Sequence, residues 1–216
     1  MNLKIIKGYP ECLTEEQVLE EAYDIALENK FYVDRKIYDD HIIGNDDYRK
    51  YFLVDEKEKI HGLTVIEFPQ IRDITICYIG LVFVHPSAHG KGWSKSLMTT
   101  ALEDNKIEAD VITLRTQNPR MFASFVNTFG NDKLYFPNPD YKTPDEVIEL
   151  MKDLPCAGNV DENLIVRNAY PNEFVHQVSN STFAGEICSL LGSTDAVVPA
   201  IVMNPKKVLQ KSLVRR

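Results

Sequence analysis

The six residues His89-Gly90-Lys91-Gly92-Trp93-Ser94 have the types and spacing to hold an anion. They stand between an apolar run, Tyr78-Ile79-Gly80-Leu81-Val82-Phe83-Val84, and a helical pattern of Trp93, Leu97, Met98, Ala101 and Leu102. A strand thus runs into a glycine-bearing loop, and the loop opens a helix. A helix N-terminus carries unpaired backbone N–H groups and a partial positive charge. Glycine lets that backbone adopt φ > 0 and come close to a ligand. The combination suits a phosphate. The plainer alternative is an ordinary strand–turn–helix connection.

Two phosphate motifs are excluded by spacing. The P-loop requires G-x-x-x-x-G-K-[ST], yet Gly90-Lys91 is followed by Gly92, and His85 stands where the first glycine belongs. The dinucleotide fingerprint requires a third glycine where Lys95 stands. A nucleotide-binding protein using the same loop is therefore a distant option.

A third pattern fits better. The segment from Leu81 to Met98 resembles the central motif of the GCN5-related N-acetyltransferase (GNAT) family, whose loop reads [Q/R]-x-x-G-x-[G/A] shortly after a V-x-P strand end. Val84-His85-Pro86 matches that strand end and Gly92 takes the required glycine. Ser94 is a small replacement at the Gly/Ala position, and His89 departs from the Gln/Arg position. A second segment agrees: Val111-Ile112-Thr113-Leu114-Arg115-Thr116-Gln117-Asn118 looks like the family's next strand and its Asn, followed by a helix from Pro119 to Phe129. The resemblance covers residues 1–130, with its motifs at 79–130. It implies an α+β fold with a central, mixed, mostly antiparallel twisted sheet of about six to seven strands flanked by helices. The chain is expected to be one GNAT-like domain, 1–216, with a family core at 1–130 and a C-terminal elaboration at 131–216 that completes the sheet.

Composition is compatible with this. A chain of 216 residues, 44% hydrophobic and 26% charged, can bury a sizeable core. No apolar run approaches the ~20 residues of a membrane span, and the start, Met1-Asn2-Leu3-Lys4, is too charged for a signal peptide. Cys12, Cys77, Cys156 and Cys188 lack metal spacing, which fits reduced thiols and a cytoplasmic location. The net charge of −8 argues against nucleic acid, and only the C-terminus is basic. His61, His85 and His176 are isolated in sequence and read as structural or exposed.

The elements that must position the loop follow from patterning. Residues 3–7 form a first strand. Thr14-Glu15-Glu16-Gln17 is a capping box, and Val18, Leu19, Ala22, Ile25 and Ala26 give one helical face to about Asn29. Residues 31–48 read as a short helix or loop. Tyr51–Val54 and Ile60–Phe68 are strands around a charged turn. Residues 74–84 form a long strand apolar on both faces, hence central. A helix at 92–105 and a strand at 111–116 follow. Asn118 caps the next helix with Pro119 at its first position, Phe122, Val126 and Phe129 inward, and Gly130 ending it. Residues 134–141 read as irregular and 143–151 as a helix. Strands at 164–169 and 197–203 are expected to complete the sheet.

The resemblance also implies roles. The co-substrate is acetyl-coenzyme A. Its pyrophosphate is expected on the backbone of His89, Gly90, Lys91, Gly92, Trp93 and Ser94. The pantetheine arm and thioester carbonyl are expected on backbone N–H groups of Val82, Phe83 and Val84, freed by a bulge in the central strand, with Asn118 assisting. Glu67 and Tyr78, the latter through a water, are the alternatives for general base. Phe125 stands where the family commonly has its proton-donating tyrosine; Tyr135 and Tyr141 are the candidates to supply that proton from the following segment, though the spacing does not point to either. The implied activity is that of an acyltransferase, moving an acetyl group to a primary amine of a small molecule or peptide. The alternative is a non-catalytic acyl-coenzyme A-binding module with a regulatory role. Nucleic acid, membrane and metal are not expected, and a homodimer stays open as an option.

Overall fold

The computed structural model describes residues 2–31, 35–44, 47–105, 109–130, 134–138, 142–170, 186, 190–192 and 194–209. They fall into two compact units that share one strand: residues 1–67 with 79–107, and residues 68–78 with 108–216.

In the first unit, strand β1 (Lys4–Lys7) pairs antiparallel with β2 (Arg49–Val54), and β2 with β3 (Ile60–Glu67). Helix α1 (Glu15–Glu28) begins where its capping box demands. Thr14 Oγ1 accepts the Gln17 N–H at 3.3 Å, and Gln17 Oε1 accepts the Thr14 N–H at 2.8 Å. Its face of Val18, Ala22, Ile25 and Ala26 packs with Phe52, Val54, Ile60, Leu63 and Val65 into one core. A short helix α2 (Arg35–Ile42) follows α1. The β2–β3 register slips at the end of the hairpin: Leu53 faces Gly62 but Val54 faces Ile60, so His61 is an extra residue. Gly62 is required there, since a Cβ on it would stand 2.8 Å from the carbonyl oxygen of Phe83.

Strand β5 (Ile74–Val84) belongs to both units, and its bounds are those predicted from the apolar run. In the second unit its first half is preceded by the short β4 (Gln70–Ile71). The strand order then continues β5, β6 (Val111–Leu114), β10 (Ala200–Val202) and β7 (Leu134–Tyr135), with β10 antiparallel to both of its neighbours. Helix α4 (Pro119–Phe129) is capped by Asn118, whose Oδ1 accepts the Arg120 N–H at 2.9 Å, and Gly130 ends it at φ 86°. Helix α5 (Asp145–Lys152) packs Val147, Ile148, Leu150 and Met151 with Ile76, Val111, Val198 and Val202. Asp110 ties this unit together. Its carboxylate, in a residue only 5% exposed, takes hydrogen bonds from Thr75 N–H, Asn204 Nδ2 and Lys207 Nζ. Burial alone pushes this carboxyl up, but the Lys207 ammonium and the two N–H donors outweigh it and hold it below the ordinary value.

Two expectations are corrected, and one is extended. Leu134–Tyr135 is not irregular: it is the strand that pairs with Ala200 and Ile201. Residues 164–169 do not complete the sheet. Ile165–Val166 (β8) instead pairs with Ala196–Val197 (β9) in a separate ladder, because Pro199 interrupts the chain before β10. The inner face of α4 includes Phe125, 0% exposed, whose ring packs on Phe129 at 5.3 Å.

Candidate functional site

The backbone of β5 changes its alternation along its length. The Ile76 N–H donates to Pro69 O at 3.0 Å, and the His85 N–H donates to His61 O at 2.8 Å. Between these bonds the strand advances from 76 to 85 while the opposing chain goes from 69 to 61, so β5 contains one residue more, a β-bulge. Beyond it, the Leu81 carbonyl accepts Thr64 Oγ1 at 2.9 Å, the Phe83 carbonyl crowds Gly62, and the His85 N–H is taken by β3. Odd-numbered residues here turn their amides toward β3. The amides of Val82 and Val84 therefore point away from it. Phe83, named with them from sequence, directs its own toward β3.

The strand leads directly into the glycine loop. A 3-10 turn, Pro86–Ala88, begins it, and the His89 ring turns back so that Nε2 donates to the Val84 carbonyl at 2.7 Å. Gly90 and Gly92 both sit at positive φ, 75° and 78°, with open space where a Cβ would stand. Helix α3 (Trp93–Asn105) starts at once, the Ser96 N–H bonding to Gly92 O at 3.1 Å. That bond makes Gly92 the cap residue, and a glycine has no side chain to satisfy the first-turn donors of Gly92, Trp93, Ser94 and Lys95. The first turn holds no acidic residue, and Lys91 and Lys95 are exposed beside it. Such a terminus favours an anion. Trp93 is half-buried, and its Nε1 is buried without a hydrogen-bond partner.

Behind the loop lies a polar cluster that sequence spacing did not reveal. Asn29, the C-cap of α1, donates from Nδ2 to Ile25 O at 2.7 Å and to the same Val84 carbonyl at 3.1 Å. Glu28 Oε2 lies 3.0 Å from His85 Nε2. His85 Nδ1 accepts the Ser87 N–H at 3.2 Å. The rings of His61 and His85 meet edge-on at 6.0 Å, and His61 Nε2 lies 3.1 Å from Asp55 Oδ2. That hydrogen bond holds the Asp55 carboxyl below its ordinary value. His61 and His85, read as isolated, are thus neighbours, brought together where the end of β5 meets β3. A His before Pro-Ser was the one available signal, an imidazole in place of the usual Asp or Ser cap.

The other sequence candidates are dispersed. Glu67 is the half-buried last residue of β3 in the first unit. Tyr78, Asn118 and Tyr135 belong to the second unit. Tyr78 is 4% exposed and its hydroxyl donates to Cys156 O at 3.0 Å, a packing role for that proton. Tyr135 lies half-buried on β7, packed against the core of its unit. Asn118 serves as a cap: its backbone N–H donates to Thr116 Oγ1 at 3.0 Å and its Oδ1 caps α4. Tyr141 and His176 lie outside the described residues. Among the described residues no group of His, Cys, Asp and Glu is arranged for a metal, and no helix is long and apolar enough to cross a membrane.

No curated protein matches the chain. Several solved structures share its fold. An acetyltransferase of Bacillus subtilis in complex with CoA is 16% identical, with a TM-score of 0.53 over 94% of this chain and 99% of that one. The ribosomal-protein-S18-alanine N-acetyltransferase of Escherichia coli is 14% identical, with a TM-score of 0.52 over 92% of this chain and 93% of that one. NAA60 of Arabidopsis thaliana in complex with acetyl-CoA is 10% identical, with a TM-score of 0.54 over 94% of this chain and 99% of that one. The sequence profile of the acetyltransferase (GNAT) family matches residues 16–124, from α1 through the bulged strand and glycine loop into α4, and the chain belongs to that family.

Proposed function

We propose that this chain is an acetyl-coenzyme A-dependent N-acetyltransferase, a single catalytic domain acting in the cytoplasm on a primary amine of a small molecule or peptide. The observation that carries the reading is the row of backbone donors: the Val82 and Val84 amides turned away from β3, followed by the glycine-capped N-terminus of α3. Those spacings suit a ligand with amides at one end and a pyrophosphate at the other. Relatives of like fold are in complex with CoA or acetyl-CoA, which supports the same co-substrate here.

In this reading the neutral amine attacks the thioester carbonyl carbon. The C–N bond forms, the tetrahedral oxyanion is stabilised by strand N–H groups, and its collapse breaks the C–S bond. The amine proton passes to Glu67, directly or through water, and the departing thiolate takes a proton from Tyr135 or solvent. Tyr78 is the weaker base, since its hydroxyl serves Cys156 O. A thiol pKa near 8.5 makes the thiolate a fair leaving group unaided. The acidic chain, net charge −8, suits a cationic acceptor.

One observation favours a second reading, an acyl-coenzyme A-binding module without turnover: Phe125, at the position of the family's proton donor, is fully buried. Free-thiol release from acetyl-coenzyme A, measured across an amine library, decides between them. A catalyst releases thiol with at least one amine, whereas a binding module shows affinity and none. Absence of any affinity for coenzyme A removes both.

A further inference from the structure

We propose that His85 is a positioning residue for the phosphate loop, acting as a neutral imidazole whose unprotonated Nδ1 caps the loop's first turn. This rests on the reading that the loop holds coenzyme A, and adds the residue that sets its shape. Nδ1 accepts the Ser87 backbone N–H at 3.2 Å, which requires a lone pair on Nδ1. Nε2 lies 3.0 Å from Glu28 Oε2. A carboxylate accepts only, so Nε2 carries the hydrogen, and Glu28 selects this tautomer.

The cap has consequences down the loop. Pro86 fixes its own φ and has no N–H, so the Ser87 N–H is the first donor needing a partner. With it satisfied, the turn closes through Ala88 N–H to His85 O at 2.8 Å and His89 N–H to Pro86 O at 3.1 Å. This delivers the His89 ring to the Val84 carbonyl at 2.7 Å, where Asn29 also donates. The end of α1 therefore holds both sides of the loop's first turn: Glu28 through His85, and Asn29 through Val84. Glu28 is half exposed, so this hydrogen bond itself contributes little to stability, and its role is to choose the tautomer.

Protonation reverses the cap. A hydrogen on Nδ1 removes the acceptor for the Ser87 N–H and sets two donors face to face. The groups around His85 are Glu28 from α1, His61 from β3 with Asp55 behind it, and Ser87 in its own turn. The cap therefore depends on Nδ1 keeping its lone pair.

The test is calorimetric titration of coenzyme A at pH 8 into the wild type, His85→Asn and His85→Ala, with unliganded thermal unfolding of each as a folding control. Asn caps without titrating. The expected result is an about fivefold weaker affinity for His85→Ala at pH 8, the weight of a lost cap of ~1 kcal/mol. His85→Asn recovers it. Equal affinity of His85→Ala and wild type overturns the proposal while leaving the loop as the binding site. A wild type that binds no coenzyme A removes the reading beneath it. Independently of ligand, ¹⁵N spectra of His85 at pH 8 should show hydrogen on Nε2; hydrogen on Nδ1 overturns the proposal by itself.

Discussion

The imidazole of His89 and the carbonyl of Val84 close the glycine loop with a 2.7 Å hydrogen bond across five residues. His89 stands at the position where the family motif has Gln or Arg, and its ring reaches backward to the strand end. His89→Ala removes one hydrogen bond of roughly 1 kcal/mol. Coenzyme A affinity should fall about fivefold, with the melting temperature little changed because the loop is exposed. Unchanged affinity by calorimetry would show that Asn29 alone suffices to hold Val84.

Gly92→Val probes the other end of the loop. The site has room for a Cβ, but φ is 78°, a left-handed conformation that β-branched residues resist. The strain costs about 1–2 kcal/mol, so the variant should stay folded with a melting temperature lower by a few degrees. Coenzyme A affinity should drop more than tenfold, since the branched side chain stands where the anion approaches. A folded variant with wild-type affinity would exclude the loop.

Phe125→Tyr tests the missing acid. From sequence alone a tyrosine ring there should raise turnover or leave it unchanged. The buried setting changes that expectation: at 0% exposure and packed on Phe129, the added hydroxyl has to be buried. An unsatisfied hydroxyl costs about 1–3 kcal/mol. The variant should unfold at lower temperature and show no gain in acetyl transfer. A several-fold rise in kcat would mean the hydroxyl reaches the leaving thiol.

Tyr135→Phe addresses the proposed proton donor. If Tyr135 protonates the thiolate, kcat should fall several-fold with coenzyme A affinity unchanged, the mark of an interaction made in the transition state. Glu67→Gln should lower kcat at neutral pH in the same assay. Wild-type kinetics in either variant would remove that residue from the chemistry.

Asp110 makes stability pH-dependent. Its folded carboxyl is held below the unfolded value despite burial, by Lys207 and two N–H donors. The contribution is therefore present above the unfolded value of about 3.9 and is lost as pH falls through the lower folded value. Asp110→Asn should destabilise by about 1.5–3 kcal/mol at pH 7, with the gap to wild type closing in denaturant titrations as pH falls below the unfolded value of about 3.9. A gap constant with pH would assign the loss to packing.

Local chemistry was readable residue by residue. The capping box at Thr14 and Gln17, the bounds of β5, the Asn118 cap with Pro119, and the glycine loop ahead of α3 all follow from interactions spanning a few residues, which sequence encodes directly. What joins distant segments was not readable. Leu134–Tyr135 is a strand only because β10 offers it an edge, and two residues carry no period of their own. The extra residue in β5 is visible only against its partner's count. His61, His85 and Glu28 come from three elements, and only the meeting of the end of β5 with β3 and with the end of α1 brings them within hydrogen-bond or ring contact. The sequence by itself determined where the backbone donors of the loop stand, because helix starts and positive φ are local properties. Tertiary structure decided which way those donors face and what holds them, because strand register and side-chain contact depend on chains far apart in sequence.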